Sequence, residues 1–165
     1  MHKKAFTLIE LMVTAAIIVV MAVVAIPAFS SYGAKNAFKL QATEIQSLMN
    51  QASIMAKNPE QGVTRYFIKI NSSDTSLYKT NENSGNLIKK IVVPSTYTIT
   101  PAISGKIYLV CDSPSNFCCP ATNLTGTCAS APILADNNFL TISDSDSGLS
   151  STINIFSNPF RVESQ

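Results

Sequence analysis

Apolar residues are concentrated near the start of the chain, where the segment from Leu11 to Phe29 contains no charged residue. As an α-helix this segment would be about 28 Å long, close to the hydrocarbon thickness of a bilayer, about 30 Å. Lys3 and Lys4 precede it, and lysines on that side favour a cytoplasmic N-terminus with the rest of the chain outside. The pattern therefore predicts a membrane-spanning helix.

A cleavable secretory signal, cut near Ala28, is the alternative, because it also has a basic start and an apolar centre. Two features argue against it. The apolar run is longer than the centre of an ordinary signal, and Glu10 interrupts the apolar residues between Ile9 and Leu11. A carboxylate that reaches the middle of a bilayer costs about 2.5–3.5 kcal/mol, so Glu10 requires a partner.

The helical pattern continues beyond the apolar segment, where apolar and small residues recur at intervals of three and four positions. The polar residues fall mostly on the other side, as in an amphipathic helix that packs one face on a sheet. Asn58-Pro59 and Gly62 predict its end, so we expect one helix over residues 6–57. The face expected to be buried carries Ala34, Ala37, Phe38, Gln41, Ile45, Leu48, Met49, Ala52 and either Met55 or Ala56.

After Gly62 the pattern changes to alternation with a period of two, which is typical of strands. Turn residues, such as those at 71–74 and 83–85, separate eight segments of this kind. A long helix followed by many short strands predicts an α+β fold in which antiparallel sheet packs on the helix. The predicted strands are Val63–Ile70, Leu77–Thr80, Leu87–Val93, Tyr97–Thr100, Lys106–Cys111, Phe139–Ser143, Thr152–Phe156 and Phe160–Glu163.

The string KKAFTLIELM, residues 3–12, resembles the processing site of type IV prepilins and of type II secretion pseudopilins. In that family a membrane peptidase cuts before the Phe, and the same enzyme methylates the new amino terminus. The resemblance, which covers residues 1 to about 35, implies cleavage between Ala5 and Phe6, N-methylation of Phe6 and a kink of the helix at Pro27. The family usually has Gly before the cut, where this chain has Ala5.

The resemblance also implies three parts: a leader peptide at 1–5, a helix half at 6–29 that serves as anchor and filament core, and an exported α+β head at 30–165. Cleavage would leave Glu10 one helical turn from the Phe6 amine. A buried ion pair of this kind can fix register. We therefore hypothesise that Glu10 of an incoming subunit pairs with the amine of its neighbour and guides assembly.

Four cysteines, Cys111, Cys118, Cys119 and Cys128, lie close together, in what reads as a loop between two strands. In an exported domain an even number of cysteines indicates disulfides, here with three possible connectivities. Neighbouring cysteines rarely bond to each other, so Cys118 and Cys119 are each expected to reach Cys111 or Cys128. A zinc site made of all four is the alternative, although the paired C-x2-C spacing is absent.

Little catalytic chemistry is open to this chain, because His2 is its one histidine and lies in the leader. Ser76 and Lys79 match the Ser-x-x-Lys pattern of penicillin-recognising enzymes, but the companion elements of that pattern are missing. The string at 144–148 resembles part of a calcium loop, yet lacks the later Glu, so we expect a polar turn. No enzymatic activity, cofactor or metal is therefore expected.

The formal net charge is only +2, and two of the basic residues are Lys3 and Lys4, so a nucleic-acid partner is not the first expectation. A weak basic face on the head keeps DNA binding open. Its candidate residues are Arg65, Lys89, Lys90, Lys106 and Arg161.

These observations indicate a structural subunit of a type IV pilus or pilus-like filament. The alternatives are a minor pseudopilin of a type II secretion system and a minor pilin whose head binds DNA for uptake. The expected partners are other pilin or pseudopilin subunits, the prepilin peptidase and methylase, an inner-membrane assembly platform and the membrane itself. Before assembly the chain would be a single-pass membrane protein with its head outside the cytoplasm, and afterwards part of a pilus or periplasmic pseudopilus.

Overall fold

The computed structural model describes residues 7–80, 84–101, 108–113, 117–121, 123–124, 138–157 and 160–164. Within these ranges one α-helix, α1 (Leu8–Lys57), precedes nine strands. The chain divides between Ala37 and Phe38 into two compact units, and α1 contributes residues to both. The strands are β1 Arg65–Ile70, β2 Asp74–Lys79, β3 Leu87–Val92, β4 Tyr97–Pro101, β5 Tyr108–Asp112, β6 Phe117–Ala121, β7 Asn138–Asp144, β8 Ser150–Ser157 and β9 Phe160–Ser164.

In the first unit, α1 exposes large apolar side chains on all sides. Ile18 and Val20 point in nearly opposite directions, because successive residues are about 100° apart around a helix, and they are 67% and 66% exposed. A helix that is apolar all round is stable only within lipid or among other apolar helices. This part of the chain fits the predicted membrane span by its length and composition.

In the second unit, α1 is amphipathic and buries one face. Ile45, Leu48, Met49 and Ala52 are fully buried, as the spacing predicts. Ala34 and Ala37 were expected on the same face, but both are exposed, and burial begins only at Phe38.

The end of α1 also matches the sequence. Asn58 closes the last turn by donating its backbone N–H to the Ile54 carbonyl at 3.1 Å. Pro59 then ends the helix, because it has no N–H to continue the hydrogen-bond ladder. Gly62 has a φ of 84°, in the left-handed region that side chains disfavour, and it turns the chain towards β1.

The first sheet has the order β3-β2-β1-β5-β6, and all its pairs are antiparallel. Its inner side chains, among them Tyr66, Ile68, Leu77 and Leu109, join the buried face of α1 in one core. Its outer face carries a smaller cluster of Phe67, Tyr108, Val110, Cys119 and Ala121, on which Leu124 packs. The central strands β1 and β5 are therefore covered on both faces, whereas the outer face of β3 is exposed.

The second sheet has the order β4-β7-β8-β9 and is antiparallel throughout. Its inner residues, among them Ile99, Leu140 and Ile153, belong to the same core as the buried face of α1. The Gln46 side chain donates from Nε2 to the backbone carbonyl of Val162 at 2.7 Å, which ties α1 to β9. The α+β architecture with antiparallel sheet on the helix is thus confirmed.

Strand β6 was not predicted, because the sequence around Cys118 and Cys119 reads as a loop. It pairs with β5 and lies at the edge of the first sheet. An edge strand tolerates Pro120, whose missing N–H would break the ladder of a central strand. Cys111, Cys118 and Cys119 are therefore on paired strands rather than in a loop.

Candidate functional site

The first turn of α1 is closed by a reciprocal pair of side chains, Thr7 and Glu10. The Glu10 backbone N–H donates to Thr7 Oγ1 at 3.3 Å, while the Thr7 backbone N–H and hydroxyl donate to Glu10 Oε2 at 3.0 and 2.9 Å. This arrangement is a capping box, in which a Thr at the N-cap and a Glu three residues later satisfy each other's free donors. The Glu10 carboxylate therefore has hydrogen-bond partners within its own chain.

The position of Glu10 is also electrostatically favourable. The unpaired N–H groups of the first turn give a helix N-terminus partial positive charge, which attracts a carboxylate. Cleavage before Phe6 would add a free amine next to the same turn. The hydrogen-bond donors that can stabilise a carboxylate are thus gathered at the beginning of the apolar first half of α1.

The surroundings of Glu10 are apolar. Ile9, Leu11 and Met12 are 69%, 65% and 62% exposed, and Val13 is half exposed. In a bilayer or a helical bundle these side chains would exclude water from the carboxylate. Water exclusion strengthens any ion pair that the carboxylate forms.

Of the other predicted N-terminal site positions, the structure describes only position 27. Ala5 and Phe6, the predicted cleavage and methylation positions, lie outside the described residues. Position 27 is helical within α1, and the predicted kink at Pro27 stays a prediction.

The cysteines form disulfides that fasten β6 on both of its faces. Cys111 and Cys118, which are directly opposed in the β5–β6 register, are bonded to each other, and their side chains belong to the main core. Cys119 points to the outer cluster and is also disulfide-bonded, whereas Cys128 lies outside the described residues. The bond between Cys111 and Cys118 leaves no thiolate on either one, which contradicts a zinc site made of all four cysteines.

The residues considered for enzymatic chemistry are engaged elsewhere. The Ser76 hydroxyl donates to Asp74 Oδ2 at 2.9 Å, and Lys79 Nζ pairs with Glu60 Oε2 at 2.5 Å. The hydrogen bond and the charge of Glu60 raise the pKa of Lys79, so it stays protonated. Ser76 and Lys79 are three residues apart in a strand and lie on opposite faces, so they do not form a nucleophile–base pair.

The string at 144–148 forms the turn between β7 and β8. Asp144 accepts hydrogen bonds from the Asp146 backbone N–H at 3.1 Å and from the Ser147 hydroxyl at 2.5 Å. Gly148 completes the turn with a φ of 68°. The polar-turn prediction is therefore confirmed, and no metal-ligand group occurs among the described residues.

Of the candidate basic residues that the structure describes, Arg65 and Lys90 have acidic partners, whereas Lys89 is exposed. Arg65 Nε pairs with Asp112 Oδ1 at 2.5 Å, and its Nη1 donates to the Leu124 carbonyl. Lys90 Nζ lies 3.8 Å from Asp74 Oδ1. Lys106 and the side chain of Arg161 lie outside the described residues.

Residues 1–26 match a protein family described as the prokaryotic N-terminal methylation motif. This chain therefore carries the N-terminal methylation motif that the string at residues 3–12 predicts. A fimbrial protein of Neisseria meningitidis serogroup B is 28% identical over 96 residues, which cover 55% of this chain and 50% of that protein. The chain therefore matches half the length of this relative. No solved structure matches the chain significantly.

The capping box was missed in the sequence, although its signature is present there. A Thr followed three residues later by Glu, just before an apolar run, predicts this motif. The sequence indicates that Glu10 needs a partner. Thr7 of the same chain supplies hydrogen bonds to it before any other subunit is present.

Proposed function

We propose that this chain is a structural subunit of a type IV pilus or pilus-like filament. The observation that supports it best is the first part of α1, whose apolar side chains are exposed on all sides. This part of the helix begins with the Thr7–Glu10 capping box. Such a segment needs lipid before assembly and neighbouring helices afterwards. The methylation motif fits a pilin and a pseudopilin equally, and the similarity to a fimbrial protein is what favours a pilus.

Processing would prepare the assembly group. A prepilin peptidase would cut between Ala5 and Phe6 and methylate the Phe6 amine. The new cationic terminus would then lie beside the Thr7–Glu10 capping box. In the free subunit the box lowers the cost of holding the Glu10 carboxylate in an apolar environment, because buried carboxylates are tolerated only when hydrogen-bonded or paired.

On assembly, an ion pair between subunits would replace the hydrogen bonds of the Thr7–Glu10 capping box or add to them. The Glu10 carboxylate of an incoming subunit would pair with the Phe6 amine of a neighbour already in the filament, which sets the axial stagger of the two helices. Mismatched staggers would leave both charges in an apolar bundle without a partner, which is strongly unfavourable. The pair therefore acts mainly as a determinant of register.

The head would lie outside the cytoplasm. Disulfides persist in oxidising compartments, and this head contains the Cys111–Cys118 bridge. We propose that Cys128 is the partner of Cys119, since the chain has four cysteines. An inner-membrane assembly platform would extract the subunit from the bilayer.

The test is replacement of Glu10 by alanine in a strain that assembles the protein. We expect Glu10→Ala to be inserted in the membrane and processed normally, and to enter filaments at about one-tenth of the wild-type level or less, since a lost buried pair costs about 3–5 kcal/mol. Glu44→Ala is the matched control, because Glu44 is an exposed carboxylate on the second half of the same helix. Normal filament incorporation of Glu10→Ala would contradict the proposed role of the carboxylate.

A further inference from the structure

Two rows of hydroxyl side chains cross the outward face of the second sheet. Each row takes one residue from β4, one from β7 and one from β8, and the members of a row are direct cross-strand neighbours. Neighbours within a row lie about 4.8 Å apart, and the rows are about 6.7 Å apart along the strands. The rows, which we call the hydroxyl array, are Thr98–Ser143–Ser150 and Thr100–Thr141–Thr152.

The hydroxyl array is accessible and rigidly supported. Its side chains are exposed or half-buried, and none of the hydroxyls is hydrogen-bonded to another described residue. The alternate residues of the same strands, Ile99, Ile142 and Ile153, are buried in the core and fix the register. The threonines add stiffness of their own, because β-branched side chains have few χ1 rotamers.

The chemistry of the array restricts its possible partners. It contains no lysine or arginine, which nucleic acids and anionic polymers require. It also lacks the Trp, Tyr and Arg anchors that carry most protein–protein interfaces, in which Ser and Thr are under-represented. A charged outward residue of this sheet, Glu163, lies on β9 beside Asn154 and outside the array.

A neutral polymer rich in hydroxyls matches this surface. Each Ser or Thr hydroxyl can donate one hydrogen bond and accept others, and sugar hydroxyls have the same double capacity. We propose that the hydroxyl array binds extended chains of a neutral polysaccharide through hydrogen bonds between these two sets of hydroxyls. Single contacts of this type are weak in water, so detectable binding requires many copies displayed together.

This inference is independent of the proposed filament, because any multivalent display of the chain can test it. The full chain is reconstituted into phosphatidylcholine vesicles and mixed with microcrystalline cellulose, an insoluble neutral glucan. The test variant is Thr100→Val/Thr141→Val/Thr152→Val, which keeps the side-chain shape of one row and removes its hydroxyls. Thr64→Val, at an exposed threonine outside the array, is the matched control.

Wild-type and Thr64→Val vesicles should sediment with the cellulose, and the triple valine variant should lose binding by about tenfold or more. A second variant, Thr141→Lys, places a long charged side chain in the centre of the array, and should lose binding similarly. Binding should change little between about 0.05 and 0.5 M NaCl, because no ion pairs are involved. Absence of wild-type binding, binding by the triple variant equal to wild type, or strong salt dependence would each overturn the proposal.

Discussion

The bridge between β5 and β6 permits a quantitative prediction of head stability. The double variant Cys111→Ala/Cys118→Ala removes a disulfide with a sequence separation of 7. For a loop of this length the chain-entropy relation gives a loss of about 2.4 kcal/mol in the free energy of unfolding. Both side chains are buried, so their truncation adds to the loss. A head of ordinary stability, about 5–15 kcal/mol, would remain folded but much weakened.

The measurement is guanidinium unfolding of the full chain in detergent, followed by tyrosine fluorescence, since the chain has no tryptophan. The double variant should unfold at a clearly lower denaturant concentration than wild type. Ser113→Ala, in the same hairpin but outside the bridge, controls for the introduction of alanine and should behave nearly as wild type. An unchanged midpoint in the double variant would refute the conclusion that the bridge holds the edge strand in place.

Two further predictions concern polar groups of the first sheet. Thr75 is fully buried and its hydroxyl has no hydrogen-bond partner among the described residues, so Thr75→Val should stabilise the head by about 1–3 kcal/mol; a lower unfolding midpoint would contradict this. Burial of Asp74 acts to raise its pKa, but hydrogen bonds from Ser76 and Asn71 and the charge of Lys90 outweigh burial and lower the pKa. A lowered folded-state pKa gives stability that is present above the unfolded value, about 3.9, and is lost as the pH falls through the folded value. Asp74→Asn should therefore be less stable than wild type at pH 7, with a difference that shrinks in acid; a difference independent of pH would count against this assignment.

Much of the fold can be predicted from the sequence because its signals are local. Helix α1 ends where Asn58-Pro59 predicts, and the alternating segments locate eight strands to within a few residues. The start of burial at Phe38 could not be predicted. The helical spacing of Ala34 and Ala37 continues the same face, but only the position of the sheets decides which part of that face is covered.

Strand β6 was missed for a different reason. Its sequence has no alternation, and Phe117 is its one strong strand former, followed by two cysteines and Pro120. Its extended conformation depends on pairing with β5 and on the bridge from Cys118 to Cys111, both of which are tertiary. At the candidate site, the sequence identified Glu10 through its cost in lipid, whereas its partner Thr7 became evident from the hydrogen bonds of the first turn.

The most direct test of the account is the mass of the N-terminal peptide of the mature protein. If the apolar start of α1 is an anchor that becomes a filament core, the chain purified from its membrane should begin at Phe6 and carry one methyl group on its amine. A mature chain that begins near Phe29, without the apolar segment, would contradict the account, because it would identify that segment as a discarded secretion signal.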